Sequence, residues 1–480
     1  MAVDYDLVIL GGTLEGRHAA MKAARYGARV ALVEVPGLFE ANQRQRCLLQ
    51  SLQQLGQGRR RQQVGQWFGF GASGDSSGGS LDWQAVLEWG AIAAETRSVG
   101  LSAEVMGRQG VDVVTELPER LSQDLVVTTA GRRLRSRGVL AAFGLSPDAL
   151  EPLMCAESLP KLVMILGGNM RAIEWAQALG GVGVAVTLQA SAVLPGWDEK
   201  IQALVRSQLI TNGIQLIAPY DSQVNVQSVN VQPGNAQSVN VQPGNAQPVN
   251  VQLVNVQSKV ECTLPLDTES PALSLPQFVY NSEGGLEDAL PNYLSVNNRL
   301  QSAHPRVFAC GPLLGGSVDE GLAEYEAEVA VKNALFLPRH QADSKALAQG
   351  SDDFARVGLN ERQAQQRYGA SAICVWEASC ANSSDLSGPV PLPQYCKIVC
   401  FQKQMVGIHL FGEGSFELSQ VLTGMIGRPI YEINSVVFPS RGLLVLVKAV
   451  ANKSAAGSRW QVGRWPRDWA ENWFNWRRCS

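Results

Sequence analysis

Short apolar runs alternate with segments of helical periodicity in two parts of the chain. In the first part, the apolar run 6–10 precedes a segment, 17–26, in which apolar residues recur every three or four positions, and a second apolar run follows at 30–33. The same order returns in mid-chain, where apolar runs lie at 162–166 and 184–188. Strands that alternate with helices are typical of parallel sheets. The pattern therefore predicts an α/β fold that contains two βαβ units.

The first βαβ unit has a glycine-rich turn between its strand and its helix, with glycines at Gly11, Gly12 and Gly16. Such a turn bends tightly and lets the backbone approach a pyrophosphate at the helix N-terminus. Glu34 ends the second strand and is placed to hydrogen-bond a ribose diol. Thr13 replaces the middle glycine, and we expect its branched side chain to crowd the phosphate and to resist a positive φ. The unit predicts a dinucleotide-binding site, with a purely structural turn as the alternative.

The second βαβ unit carries a weaker version of the same motif. Gly167 and Gly168 open its turn, but Asn169 is bulkier than the glycine that the motif has at this place. Ala172 is tolerated at the last motif position because that residue only packs the helix against the strand. Gln189 stands where a ribose-binding acid would be, and an amide binds hydroxyl groups more weakly than a carboxylate. The unit predicts the fold of a nicotinamide-binding domain, and the alternative to binding is a unit retained for packing.

Composition narrows the classes of protein to which the chain can belong. Its 480 residues give room for about three domains. A formal net charge of -3 gives no reason to expect a nucleic-acid partner. The N-terminus carries acids rather than the bases of a secretory leader, and no apolar run reaches the roughly 20 residues of a membrane span, so we expect a cytoplasmic protein. The nine cysteines are scattered, which favours reduced thiols, and none has the spacing of a metal site.

Several segments resemble, in the same order, the FAD-dependent pyridine nucleotide-disulfide oxidoreductases, the family of dihydrolipoamide dehydrogenase, glutathione reductase and mercuric reductase. Residues 4–34 are similar to the FAD-binding opening of the family, and residues 159–174 are similar to the start of its nicotinamide domain. Residues 306–312 are similar to the segment that returns to the flavin. Residues 355–364 and 405–412 are similar to the dimerisation domain. The resemblance implies an α/β fold of two Rossmann-like nucleotide-binding domains plus a C-terminal α+β dimerisation domain. It also implies FAD and NAD(P)H as cofactors and a homodimer.

The resemblance further implies a division of the chain into domains. Residues 1–154 would form the first segment of the FAD-binding domain, and residues 281–345 its second segment. Residues 155–280 would form the NAD(P)-binding-like domain between them. The dimerisation domain would follow at 350–453, and a Trp-rich tail at 454–480. A repeat with a period of ten residues is inserted at 223–257. Near-identical copies of low complexity favour a flexible loop, and the alternation of valine with amides leaves β-hairpins as the alternative.

The cofactor-binding residues that the resemblance implies lie in the glycine motifs and at the ends of the neighbouring strands. They are Gly11, Gly12, Gly16, Glu34, Gly144 and Gly311 for FAD, and Gly167, Gly168 and Glu174 for NAD(P)H. Two motifs depart from the family. Its Gly-Asp dipeptide reads Gly311-Pro312, and proline supplies neither a carboxylate nor an N–H to the flavin side chain. Its Ala-Thr-Gly turn contains Phe143, which adds a ring where a hydroxyl is expected.

The catalytic residues of the family are missing. Its redox-active pair of cysteines, four residues apart, should lie within 38–52, where Cys47 is the only cysteine. A single cysteine in an apolar helix is more often part of the core than a nucleophile. The family's C-terminal His-Glu pair aligns with Phe438 and Leu443, so acid-base catalysis is lost as well. No catalytic residue and no metal ligand is predicted.

Two functions remain open from the sequence. One is a divergent flavoprotein that passes a hydride from a nicotinamide to FAD and on to an acceptor other than a disulfide. The other is a catalytically silent homodimeric scaffold that engages a partner. The tail carries five tryptophans, at positions 460, 465, 469, 473 and 476, and these predict contact with a protein or a membrane surface, with packing onto the protein's own domain as the alternative.

Overall fold

A computed structural model describes residues 3–67, 81–122, 124–143, 150–218, 262–265, 296–311, 320–340, 348–380, 393–435, 443–459 and 476–478. The strands are β1 Tyr5–Leu10, β2 Val30–Val33, β3 Val111–Val114, β4 Pro118–Leu121, β5 Val126–Thr129, β6 Arg133–Ala141, β7 Leu162–Leu166, β8 Ala185–Gln189, β9 Gln215–Ile217, β10 Cys262–Pro265, β11 Val307–Ala309, β12 Gln349–Ser351, β13 Phe354–Gly358, β14 Ile373–Cys380, β15 Gln394–Phe401 and β16 Gln404–Phe411. The helices are α1 Leu14–Arg25, α2 Leu38–Trp67, α3 Trp83–Ser98, α4 Ala103–Arg108, α5 Glu151–Met154, α6 Met170–Gly181, α7 Glu199–Thr211, α8 Glu320–Leu335, α9 Glu361–Tyr368, α10 Ser415–Thr423 and α11 Leu443–Arg459.

The first sheet has the strand order β3-β2-β1-β6-β5-β4, and β11 pairs with β6. β1 is parallel to β2 and β6, and β11 is parallel to β6, whereas β4, β5 and β6 are antiparallel. The central strands are buried, and the small apolar residues of α1 and α8 pack together beside β1. The carboxyl ends of β1, β2, β6 and β11 therefore meet at one edge, where open α/β sheets bind ligands.

The second sheet is parallel, with the order β10-β7-β8-β9. Its helices α6 and α7 bury Trp175, Leu179, Ile201 and Leu209 in one hydrophobic core with the strands. Leu48 and Leu52 of α2 join the same core, so this helix connects the first unit to the second. The two parallel βαβ units confirm the α/β fold predicted from the sequence.

The third sheet is antiparallel, with the order β12-β13-β16-β15-β14. Cys396 and Cys400 are buried in β15 and belong to the core of this part of the protein. His409 of β16 is fully buried, and its Nε2 lies 3.1 Å from the carbonyl oxygen of Leu359. Burial lowers the pKa of His409 to about 4, so this imidazole is neutral and structural at neutral pH.

Several predictions concern residues outside the described part of the chain. These are the repeat at 223–257, Gly144, Pro312, Phe438 and most of the tryptophan-rich tail. Of the tail tryptophans, the structure describes Trp476, which is exposed. Among the described helices, none combines the length and the apolar character that crossing a membrane requires.

Candidate functional site

The turn 11–16, here called the Gly11 turn, depends on its glycines for steric reasons. Gly11 has φ +109°, and a Cβ there would overlap the carbonyl oxygen of Ala142 at the end of β6. A Cβ at Gly12 would overlap the carboxylate of Glu34, and one at Gly16 would overlap the carbonyl oxygen of Gly11. The tight bend that the motif predicts is therefore present, and it brings the ends of β1, β2 and β6 together.

Thr13 does not adopt the conformation that we expected it to resist. Its φ is -74° and its ψ is 173°, which is ordinary extended backbone, so no positive φ is required and that part of the expectation was wrong. The hydroxyl accepts a hydrogen bond from the Gly16 N–H at 3.2 Å and donates one to the carbonyl oxygen of Ala142 at 2.8 Å. Thr13 is thus the N-cap of α1, and it occupies one of the N–H groups that a helix N-terminus offers to a phosphate.

Glu34 lies where the sequence places it, at the end of β2, but its carboxylate is already bound within the protein. Arg17 donates from Nε to Oε2 at 3.0 Å and from Nη2 to Oε1 at 2.9 Å, and both side chains are 4% exposed. The guanidinium lies 3.7 Å from the centre of the Phe39 ring and donates to the carbonyl oxygen of Leu101 at 3.0 Å. Burial raises the pKa of Glu34, and the charge of Arg17 opposes that rise.

Two further carboxylates lie at the phosphate end of this site. Glu15, in the first turn of α1, is 3% exposed, and a Cβ on Gly311 would lie 2.9 Å from its carboxyl carbon. Glu326 of α8 accepts a hydrogen bond from the Gly311 N–H at 2.8 Å. Burial, with a contribution from the charge of Glu15, raises the pKa of Glu326 to about 7. Burial and the same two carboxylates raise the pKa of the Cys310 thiol.

The described residues do not fit FAD. The acid that should bind ribose is held by Arg17, and two buried carboxylates lie beside the helix end where a pyrophosphate would bind. Phe143 packs beside Ala141 and Ala309 at the strand ends. Sequence reasoning did not select Arg17, Glu15 or Glu326. Glu15 could have been noticed, since it is an acid inside a phosphate-binding motif.

The second glycine turn is covered by its own chain. Gly167 has φ +117° and donates its N–H to the carbonyl oxygen of Gln189 at 2.8 Å. A Cβ at Gly168 would overlap the carbonyl oxygen of Ala192, and the carbonyl oxygen of Gly168 accepts a hydrogen bond from the N–H of Leu194 at 2.7 Å. The segment after β8 thus lies directly on the turn, which leaves a main-chain oxygen where a nucleotide would approach.

The other residues predicted in the second unit have structural roles or remain unassigned. Asn169 has φ -73° and caps α6, because its Oδ1 accepts a hydrogen bond from the Ala172 N–H at 2.9 Å. Glu174 lies half-buried on α6 beside Arg171. Burial lowers the pKa of Arg171, and the charge of Glu174 opposes this shift. The Arg171 guanidinium donates to the Gln45 carboxamide of α2 at 2.8 Å.

The helix that should carry a redox pair contains a buried single cysteine. Cys47 of α2 is 2% exposed, and its carbonyl oxygen accepts a hydrogen bond from the Ser51 hydroxyl at 2.8 Å. Leu443, which aligns with the glutamate of the family's His-Glu pair, lies at the start of α11 and is also buried. Within the described residues there is no group of three side chains that could hold a metal ion.

No family model matches the chain, but comparison with curated proteins finds dehydrogenases and reductases that are similar to it over most of its length. A dihydrolipoyl dehydrogenase of Bacillus subtilis (strain 168) is 26% identical over 406 residues, which cover 76% of this chain and 79% of that protein. A glutathione reductase of Nostoc sp. is 22% identical over 88% of this chain and 93% of its own length. A mercuric reductase of Staphylococcus aureus is 24% identical over 76% of this chain and 66% of its own length. These relatives, 22–26% identical over at least 76% of the chain, support a likeness to the pyridine nucleotide-disulfide oxidoreductase family.

Proposed function

We propose that this chain is a catalytically silent member of its family, a homodimeric scaffold that folds and works without FAD. The observation that carries the proposal is the buried ion pair between Arg17 and Glu34. It satisfies, within the protein, the carboxylate that would otherwise bind the ribose of a dinucleotide.

Binding of a ribose at Glu34 would require the guanidinium to leave. Separating a buried ion pair by removing one partner costs about 3–5 kcal/mol, because the remaining charge is left buried and unpaired. Arg17 would also lose its contact with the Phe39 ring and its hydrogen bond to Leu101. The adenosine half of a cofactor would have to offset all of these losses before it contributed any net affinity.

The pyrophosphate of a bound dinucleotide would meet carboxylates, whose charge has the same sign as its own. The carboxylates of Glu15 and Glu326 are both 3% exposed and lie beside Gly311. Electrostatic repulsion is only weakly screened in a buried site, so a pyrophosphate could not approach unless both acids took up protons. The N-terminus of α1 therefore disfavours the anion that this position binds in other dinucleotide folds.

Helix α2 offers no pair of thiols through which electrons could pass. Cys47 is the single cysteine of α2, and it is buried in a helix that packs on the second unit. Disulfide reduction needs a second thiol within bonding distance, so the chemistry named for the three relatives has no counterpart on this helix.

The direct test is the flavin content of the purified full-length protein. We expect colourless protein, no tight uptake of added FAD and no NADH- or NADPH-dependent reduction, while sedimentation shows a dimer. A double variant, Arg17→Ser with Glu15→Gly, should gain measurable FAD affinity because it frees Glu34 and removes one of the two buried acids beside Gly311. Arg29→Ser, which changes an exposed arginine after the same helix, is the control. Stoichiometric FAD in the wild-type protein would overturn the proposal.

The second candidate is the divergent reductase that passes electrons from NAD(P)H through FAD to an acceptor other than a disulfide. The bend at Gly11, with φ +109°, and the close approach of Gly11 to Ala142 favour it, since both belong to a nucleotide-binding turn. Yellow protein whose flavin bands are bleached by NADH or NADPH would support this candidate against the scaffold.

The homodimer and the role of the tail belong to the same proposal. The dimer would form through the third sheet and its helices, within 350–453, as the resemblance implies. The tail tryptophans would contact a partner protein or a membrane surface. Truncation after residue 459 should leave the dimer intact and abolish capture of that partner, whereas loss of the dimer would assign the tail to the subunit interface.

A further inference from the structure

A cavity of about 560 Å³ lies between α1, α2, α8 and the turn Val99–Leu101. Its volume is typical of pockets that enclose small molecules, which range over about 300–1,000 Å³. Leu14 is the one residue of the Gly11 turn that lines it, whereas Gly11, Gly12, Gly16 and Glu34 do not.

The floor of the cavity is apolar. Met21 of α1, Phe39 of α2 and Ala327 of α8 line it, and they are 6%, 2% and 1% exposed. These side chains are held in place by three different helices, so the floor is rigid. It offers a surface for the hydrocarbon or aromatic part of a ligand.

Two polar groups reach this floor without a protein partner. Gln43 of α2 is 6% exposed and lines the cavity, and its carboxamide has no hydrogen bond to any of the described residues. His18 of α1 is half-buried on the wall and likewise makes no hydrogen bond there. Both side chains border the cavity, so they are available to hydrogen-bond a polar group of a ligand.

The rim carries more available positive than negative charge. Arg25 has no carboxylate partner among the described residues, and Arg97 bonds only to the neutral Gln50 carboxamide. Lys22 and Glu328 are paired at 3.1 Å, and Glu328 is shared with Lys332, which lies outside the cavity. Glu324 is the opposing carboxylate on this rim.

We infer that this cavity is a binding site for a small organic anion with an apolar body. Arg25 and Arg97 hold the anionic head at the rim, the body lies on Met21 and Phe39, and the Gln43 carboxamide hydrogen-bonds a polar group of the ligand. A carboxylate and a phosphate monoester share this chemistry. The site does not depend on the scaffold proposal, since neither Arg17 nor Glu34 lines the cavity.

The test uses 8-anilinonaphthalene-1-sulfonate, an aromatic anion that fluoresces in apolar surroundings, with the full-length protein. We expect one saturable site per chain, displaced by phenylacetate or by phenyl phosphate, and the better competitor identifies the head group. Arg25→Gln should weaken probe binding about tenfold, equivalent to one charge-assisted hydrogen bond. Arg133→Gln, at an exposed position on β6 that does not line the cavity, should leave probe binding unchanged.

A cavity-filling variant tests the location. Gly100 lines the cavity, and a Cβ there would meet no atom within 4 Å, so Gly100→Trp can enter the space without disturbing the backbone. Gly107 is equally open and lies outside the cavity, which makes Gly107→Trp the matched control. Probe binding should be lost in the first variant alone, with circular dichroism and melting temperature showing that both fold. No saturable binding to the wild type, equal binding by both variants, or failure of both competitors would each overturn the inference.

Discussion

At the scale of single residues, Glu326 should make the stability of the protein depend on pH. Its pKa is raised to about 7 by burial and by Glu15, against a usual value of 4.5. The folded state therefore holds a proton that the unfolded state releases, and the stability present below pH 4.5 is lost as the pH rises through about 7. The shift corresponds to a loss of the order of 3 kcal/mol in the free energy of unfolding.

Replacing Glu326 by glutamine should remove this loss. The glutamine carbonyl can still accept the Gly311 N–H, and it cannot ionise. Urea unfolding at pH 5 and pH 8 measures the effect, and Glu326→Gln should be more stable than the wild type at pH 8 only. Glu88→Gln, at an exposed position of α3, should show no such difference. Equal pH dependence in all three proteins would contradict the assignment.

The sequence predicted the Gly11 turn and the place of Glu34 at a strand end, but it could not show how the charges there are satisfied. Gly11 and Glu34 take the predicted positions because a βαβ unit fixes the ends of its strands. Arg17 could not be identified as the partner of Glu34, since the pairing depends on the angle at which α1 crosses the end of β2. The approach of Glu326 to Gly311 depends on contacts between segments that are distant in the chain, and no local pattern encodes it.

At the scale of elements, α1 and α6 begin with the same capping arrangement. Thr13 and Asn169 have nearly identical backbone angles, and each side chain accepts a hydrogen bond from the third residue after it. From the sequence, threonine and asparagine were interpreted as unfavourable residues at these two glycine positions of the motif. The structure shows why they are suitable, since threonine and asparagine are favoured N-cap residues. These caps also explain why α1 starts at Leu14, three residues before the predicted helix.

Loss of either cap should destabilise the protein. Asn169→Ala should cost about 1 kcal/mol, and Thr13→Ala somewhat more because the hydrogen bond to Ala142 is lost as well. Asn169→Asp preserves an oxygen acceptor and should stay close to the wild type. The measurement is the midpoint of urea unfolding, compared at an unchanged m value. A cap variant as stable as the wild type would show that the N–H groups at the helix end find another hydrogen-bond acceptor.

At the scale of the whole molecule, a buried charge cluster joins the second unit to the third sheet. Lys397 of β15 lies 2.8 Å from Asp198, before α7, and 2.6 Å from Glu361 of α9. Beside it, the Arg356 guanidinium lies 4.8 Å from the Trp197 ring and donates to the Gly196 carbonyl oxygen at 3.1 Å. The fold class was predictable from strand and helix order. This junction was not, because its residues carry no motif.

Lys397→Met should weaken this junction. Asp198 would remain 4% exposed without its cation, which should cost about 3 kcal/mol and separate the unfolding of the third sheet from that of the second unit. Calorimetry should then show two transitions in place of one. Lys200→Met, at an exposed position on α7, should retain the wild-type profile. A single unshifted transition in Lys397→Met would mean that apolar packing alone holds the two parts together.

The guanidinium of Arg17 joins α1 to the end of β2, to Phe39 and to Leu101, so one side chain completes a region that flavoproteins finish by taking up their prosthetic group. Maturation should then need no loading step. In cells starved of riboflavin, the amount of this protein should hold steady while that of true flavoenzymes falls, and immunoblotting across the starvation would show whether it does. Vitamin supply, in other words, should not limit its lifetime.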